Sequence, residues 1–157
     1  MQLVVQSLSC PTSKDALSAA MINASSLALL NASSVPMRGL VSAVAVGRLS
    51  GGRLVLDPSE EEACSLEAGG TFAFIFADDV GRKNSNPECV WTSWKSASGS
   101  YDQSEIFQAR ELARTGARAV YDAIRTNFEK PGMGAHEQVE EATPAETKSE
   151  EDDKMEI

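Results

Sequence analysis

The sequence is poor in the residues that most often carry catalysis or bind metal. It has one histidine, His136, and three cysteines, Cys10, Cys64 and Cys89, among 157 residues. No two cysteines stand at Cys-x-x-Cys spacing, and an odd, scattered set suits neither zinc nor a disulfide framework. They read as buried free thiols, which pack as small hydrophobes. Aromatic residues are 6% of the chain against 42% hydrophobic, so the core must be mainly aliphatic and alanine-based. No run approaches the ~18 consecutive apolar residues that would span a bilayer, so no membrane is expected among the partners. Met1-Gln2-Leu3-Val4-Val5-Gln6 has neither the basic start nor the apolar stretch of a signal peptide. The expectation is a soluble intracellular protein, in which the sequons at Asn23 and Asn31 are chance.

The familiar catalytic signatures are missing too. There is no Walker-type loop, dinucleotide fingerprint, His-Glu-x-x-His or Gly-x-Ser-x-Gly. His136 stands at the edge of a polar tail, where nothing would hold a general base in place. The glycines from Gly47 to Gly52 suit a hairpin turn better than a phosphate loop, since no helix N-terminus follows to receive an anion.

A basic footprint for nucleic acid is also lacking, because the formal charge is −9. That charge is unevenly spread. Residues 137–157 hold nine acids and two lysines, a net of −7, which leaves −2 for residues 1–136. The body is nearly neutral, so any RNA contact must come from a local patch. From residue 134 onward large apolar side chains are almost absent, and such a segment cannot bury enough surface to offset its ordering entropy. The chain divides into a domain over residues 1–130 and a disordered acidic tail over 131–157.

Within the domain, the hydrophobic spacing sets the elements. Residues 2–8 read as a short strand, which Pro11 breaks, with Ser13 or Asp15 as the N-cap of a helix. Leu17, Ala20, Met21, Ala24, Leu27 and Ala28 recur at helical spacing, a stripe of small residues that lets a sheet approach closely. Residues 40–46 form a near-continuous apolar run that suits a strand buried on both faces. Ser50-Gly51-Gly52 then turns into a strand over residues 53–56. Residues 71–76 alternate, so Phe72, Phe74 and Phe76 face one helix layer. A polar loop leads to a last strand over 89–94. Asp102 and Glu105 have capping-box spacing at the start of the final helix, whose buried face runs from Ile106 to Phe128. Lys130-Pro131-Gly132 ends it. The order β-α-β-β-β-β-α predicts an α/β (α+β) two-layer sandwich, both helices on one face of a mixed sheet.

Three groups of residues could carry function. Glu60, Glu61 and Glu62 with Asp57 are either solvated acids or a carboxylate metal site. Arg110, Arg114 and Arg118 fall on one stripe of the last helix. They form a solvated face partly paired with Asp122, or they contact RNA phosphates or an acidic neighbour. Trp91 and Trp94 point to opposite faces of their strand. One can be core, and the other packs under a loop or sits in a protein interface.

Ala24-Ser25-Ser26-Leu27-Ala28-Leu29, followed by Val35-Pro36-Met37-Arg38-Gly39 and the apolar run to Gly47, is less generic. It resembles the RNase PH family, in which a helix ending in an "ALADAG"-like run precedes "IPMRDLVAAVAVG". The similarity extends over about residues 3–130. Arg53-Leu54-Val55-Leu56-Asp57-Pro58 looks like the component-five branch of the exosome ring subunits in that family. The resemblance implies the RNase PH (ribosomal protein S5 domain 2-like) fold, here N-terminally incomplete. It also implies a left-handed strand–helix–strand crossover, against the general right-handed rule.

Two departures bear on chemistry. Aligned on the family pattern, Ser18 takes the place of the arginine that binds the attacking phosphate, and Ala63 that of a metal-binding aspartate. The resemblance therefore implies a non-catalytic ring subunit, with no catalytic residue, metal or cofactor of its own. It would thread RNA toward a nuclease bound elsewhere, in ribosomal and messenger RNA turnover. Its implied partners are other RNase PH-like ring subunits, cap subunits and RNA, in nucleus, nucleolus and cytoplasm. The alternative is a phosphate-dependent 3′→5′ exoribonuclease.

The acidic tail carries the first testable consequence. Removing residues 134–157 should leave co-purification with partner subunits unchanged; loss of the complex would make the tail an assembly element.

Overall fold

The computed structural model describes residues 2–9, 11–77, 86–97 and 101–129. The acidic tail, His136, Cys10, the Lys130-Pro131-Gly132 stop and most of the loop before residue 86 lie outside these. The elements in chain order are α1 (Lys14–Ala32), β1 (Leu40–Leu49), β2 (Leu54–Leu56), α2 (Glu60–Ala63), β3 (Leu66–Phe76), β4 (Glu88–Ser96) and α3 (Gln103–Glu129). The four strands form one antiparallel sheet in the order β2-β1-β3-β4. The α/β class expected from the sequence holds, with differences in detail.

Ser13 is the N-cap of α1, its hydroxyl accepting from the Ala16 amide at 3.2 Å. The helix closes on Ser33, which takes a left-handed conformation at φ 55°. The β1–β2 hairpin turns at Gly51 and Gly52, both at positive φ (84° and 79°), where a side chain would be strained. One long pairing, from Leu40↔Phe76 to Leu49↔Leu66, joins β1 to β3. At the β3–β4 step, a Cβ on Gly70 would lie 1.6 Å from the Ser93 carbonyl oxygen, so only glycine admits this close approach.

Residues alternate between the faces of β1 and β3. Val44, Val46, Phe72, Phe74 and Phe76 pack on Ala109, Ala113, Ala117 and Tyr121 of α3. Val41, Ala43 and Ala73 pack on Ala19 and Ile22 of α1. The two sets interleave along the strands, so the helices lie on opposite faces and the layering is helix–sheet–helix. This corrects the expectation of two layers with both helices on one face. The cause is β1 itself: a strand buried on both sides needs cover on both sides. The three phenylalanines face a helix layer as expected, and the all-alanine stripe of α3 lets that helix sit close to them.

Residues 2–8 are not a strand, which removes the fifth strand, the mixed sheet and the crossover that would have started there. The side chains of Val4 and Leu8 are 77% and 99% exposed. A strand needs a partner edge, and the outer edge of β1 is already occupied. There β2 pairs with residues 46–48 only, and Asp57 donates its amide to the Ala45 carbonyl at 2.8 Å. Beyond that point α1 takes over. The Asn23 amide donates to the Ala43 carbonyl and accepts from the Ala43 N–H, both at 2.8 Å. The Ser26 hydroxyl donates to the Val41 carbonyl at 2.7 Å.

Other boundaries move for local reasons. β3 begins at Leu66 rather than Thr71, since Gly69 and Gly70 pair despite their low strand propensity. The acids read as a loop form α2, whose start is closed by a Ser59/Glu62 capping box. The thiols are less buried than expected: Cys64 is exposed and Cys89 is intermediate at the core margin.

Asn23 gives a direct test of the shared edge. Asn23→Ala would orphan the N–H and C=O of Ala43, at about 1–3 kcal/mol for each unsatisfied group. Its urea midpoint should fall well below that of Asn31→Ala, an exposed position on the same helix. Equal midpoints would show that the Asn23 bonds do not hold the sheet.

Candidate functional site

The three arginines proposed from the sequence do share one flank of α3, each one residue after a buried alanine. Arg110 is exposed, and Arg114 and Arg118 are half-buried. The Arg118 guanidinium lies 4.9 Å from the centre of the Phe76 ring, which stacks on Tyr121 at 4.6 Å. Arg114 donates to Asn86 Oδ1 at 2.8 Å and pairs with Glu111. Between α3 and the start of β4 lies a shallow groove of about 250 Å³, lined by Asn86, Pro87, Arg114, Thr115 and Arg118. Arg110 is not part of that lining. Guanidinium forks beside amide and hydroxyl groups suit the oxygens of a phosphate.

Ser18 lies on the opposite side of the sheet, on the surface of α1. Its hydroxyl donates back to the Lys14 carbonyl at 2.9 Å. It lines a groove of about 540 Å³ with Lys14, Asp15, Met21, Ile22, Thr71, Trp91, Ser93 and Lys95. The Thr71 hydroxyl fixes the start of α1 there by donating to the Asp15 carbonyl at 2.9 Å. Ala63, at the end of α2, is not in this lining. Among the described residues no three His, Cys, Asp or Glu side chains converge to hold a metal ion. No described helix is long and apolar enough to cross a membrane.

The two tryptophans divide as the strand alternation requires. Trp94 packs against the core on the α3 face, 6.0 Å from the Phe72 ring. Trp91 pairs with Ala73, on the α1 face, and is 57% exposed in the groove beside Ser18.

One cluster escaped sequence reasoning. Arg48, next to last in the apolar β1, donates to Glu105 at 2.5 Å, with Glu67 at 3.8 Å. Glu105 is thereby drawn away from the expected capping box to tie the start of α3 to the sheet. Beside it Asp102 has its carboxyl held below the ordinary value, first by the Ser104 hydroxyl and then by the Ser104 and Gln103 amides. These residues line a groove of about 520 Å³ with Gly51, Gly52 and Gln108. The sequence signal was an arginine closing a run that is otherwise apolar, far from any acid in sequence.

No protein-family model matches the chain. It is 36% identical over 124 residues to the exosome complex component Rrp41 of Archaeoglobus fulgidus, a match covering 79% of this chain and 44% of that protein. Its fold superposes on the crystal structure of rice (Oryza sativa) Rrp46 with a TM-score of 0.54 at 22% identity. That match covers 71% of this chain and 47% of the rice chain. The chain thus spans about half the length of the relatives it matches. The expected RNase PH-like fold is found in the geometry, and the chain is similar in sequence to this archaeal exosome component over 124 residues.

Proposed function

We propose that the chain acts as a non-catalytic RNase PH-like subunit of an exosome ring, supporting 3′→5′ RNA processing by assembly and RNA threading. Its partners in this reading are other RNase PH-like ring subunits, cap subunits and RNA, in nucleus, nucleolus and cytoplasm. The observation that carries it is chemical. Phosphorolysis needs a fixed cation for the attacking phosphate and a carboxylate-held metal to stabilise charge on the leaving oxygen. By the family pattern those two positions are Ser18, whose hydroxyl is bonded to its own helix, and Ala63, a methyl group.

A second reading, a phosphate-dependent exoribonuclease, has one observation in its favour. Lys14, Lys95 and Asp15 line the same groove as Ser18, so two ammonium groups and a carboxylate stand near the aligned position. Assay separates the two. With phosphate, Mg²⁺ and single-stranded RNA, the purified chain and its complex with co-purifying subunits should release no more nucleoside diphosphate through this chain than a blank. Loss of either charged group from such a site can reduce the rate by ~10²–10³. Phosphate-dependent shortening of RNA that is abolished by Lys14→Ala or Asp15→Ala would overturn the non-catalytic reading.

In this reading Arg110, Arg114 and Arg118 take RNA phosphates, which requires no catalytic group. Replacing all three by glutamine should weaken RNA crosslinking. It should also lower the salt-dependence slope by about 2, at ~0.7 per phosphate contact on a single strand. An unchanged slope would return the stripe to a solvated helix face.

A further inference from the structure

Three of the five phenylalanines, Phe72, Phe74 and Phe76, lie in the core at 5% exposure or less. Phe107 is the opposite case: it stands in the second turn of α3 and is 55% exposed. A single exposed aromatic needs no explanation by itself, so its surroundings decide what it means. The helix positions one turn away, Gln103, Ser104, Arg110 and Glu111, are all polar. No apolar patch surrounds the ring on the helix, whereas the anchor of a protein interface sits in a well-packed, water-free pocket. Its place relative to the arginines is regular instead. Phe107, Arg110, Arg114 and Arg118 stand at i, i+3, i+7 and i+11, the repeat of one helix face. At 1.5 Å of rise per residue that row is about 16 Å long.

Two of these arginines are held in place by tertiary contacts. Arg114 reaches across to Asn86 at 2.8 Å, and Arg118 lies over the Phe76 ring at 4.9 Å. Groups fixed before a ligand arrives lose less freedom on binding it. The Phe107 ring, by contrast, has no other ring or guanidinium stacked on it among the described residues. Single strands are bound without sequence readout by cations that track the backbone and aromatic rings on which bases stack. We infer that Phe107 is the nucleobase platform of a single-stranded RNA site whose backbone lies along Arg110, Arg114 and Arg118. The inference rests on the RNA role proposed for the arginines and adds to it the strand state and a stacked base. A duplex keeps its bases stacked on one another and offers this ring no open face. Glu111, one turn after Phe107, pairs with Arg114 and must yield it to a phosphate. That competition weakens the backbone contact and leaves stacking to choose between ligands.

The test compares two oligomers of equal length and charge, a single-stranded oligoadenylate and its abasic counterpart, by fluorescence anisotropy on the full chain. The oligoadenylate should bind about fivefold more tightly or better, the smallest effect expected of one base stacked on an aromatic ring. Phe107→Ala and Phe107→Leu alter an exposed position and should keep the circular dichroism of the chain. Both should bring the oligoadenylate down to the affinity of the abasic oligomer while leaving the salt-dependence slope unchanged. Phe107→Trp should keep the preference. The inference is overturned by equal binding of the two oligomers to the unaltered chain, by equal loss on both in Phe107→Ala, or by a preference that survives in Phe107→Leu. Duplex RNA bound as tightly as the single strand overturns it too. If the slope still falls when the three arginines become glutamine, the proposed RNA role of the stripe stands without the platform; if it does not, both fall.

Discussion

The rest of the structure depends on how the outer edge of β1 is completed. A central strand must satisfy backbone groups on both sides, because an unpaired buried N–H or C=O costs about as much as a lost hydrogen bond. β3 supplies one side over the full length of β1. On the other side β2 is only three residues long, and a helix side chain finishes the work. Asn23 acts there as a one-residue strand, giving and receiving a bond at Ala43, and Ser26 continues to Val41. These bonds fix the rotation of α1 as well as its position. Once Asn23 and Ser26 face the edge, Ala19 and Ile22 must face Ala43 and Ala73, and the Ala20–Ala28 stripe must face outward.

The same strand explains why the layers differ in thickness. Toward α1 the sheet presents Ala43, Ala73 and Thr71, and the helix answers with Ala19 and Ser26, all small. Toward α3 it presents three phenylalanines and two valines, and there the helix supplies the small partners, Ala109, Ala113 and Ala117. Close packing demands this complementarity of volumes. It also explains how a core with few aromatic residues remains dense: Phe72 and Phe74, at 0% and 1% exposure, sit where the facing helix is smallest.

Much of this was legible in the sequence, for identifiable reasons. The alternation of residues 71–76 reports a face directly, and Gly51-Gly52 demands a turn; both are local signals. The start of α1 at Ser13 is local too, as is the opposite pointing of Trp91 and Trp94. The stripe read as the sheet-facing side of α1, however, lies outward, with Ala20, Ala24, Leu27 and Ala28 exposed and Ala19, Ile22 and Ser26 turned to the sheet. What failed was non-local. Residues 2–8 carry the composition of a strand, yet the edge they would join is held by Asn23 and Ser26, whose partners on β1 lie 20 and 15 residues away. Placing both helices on one face failed because handedness and layering follow from connections, not from periodicity. Of the candidate site, the arginine stripe could be read from its spacing of four. Arg48 could not, because its partner Glu105 lies 57 residues away and itself looked like part of a cap.

The segment from Asn23 to Gly47 contains the side chains that close the β1 edge and most of the strand they close, so substitutions there act directly on the sheet. Ser18 and Ala63 have no such duty. Ser18 is exposed and bonded only to its own helix, and Ala63 ends a four-residue helix that puts no residue in the buried core. A charged group at either position could be lost or gained without disturbing Asn23, Ser26 or the phenylalanine face. If the proposed function holds, catalysis was separable from the fold because the two never shared a side chain.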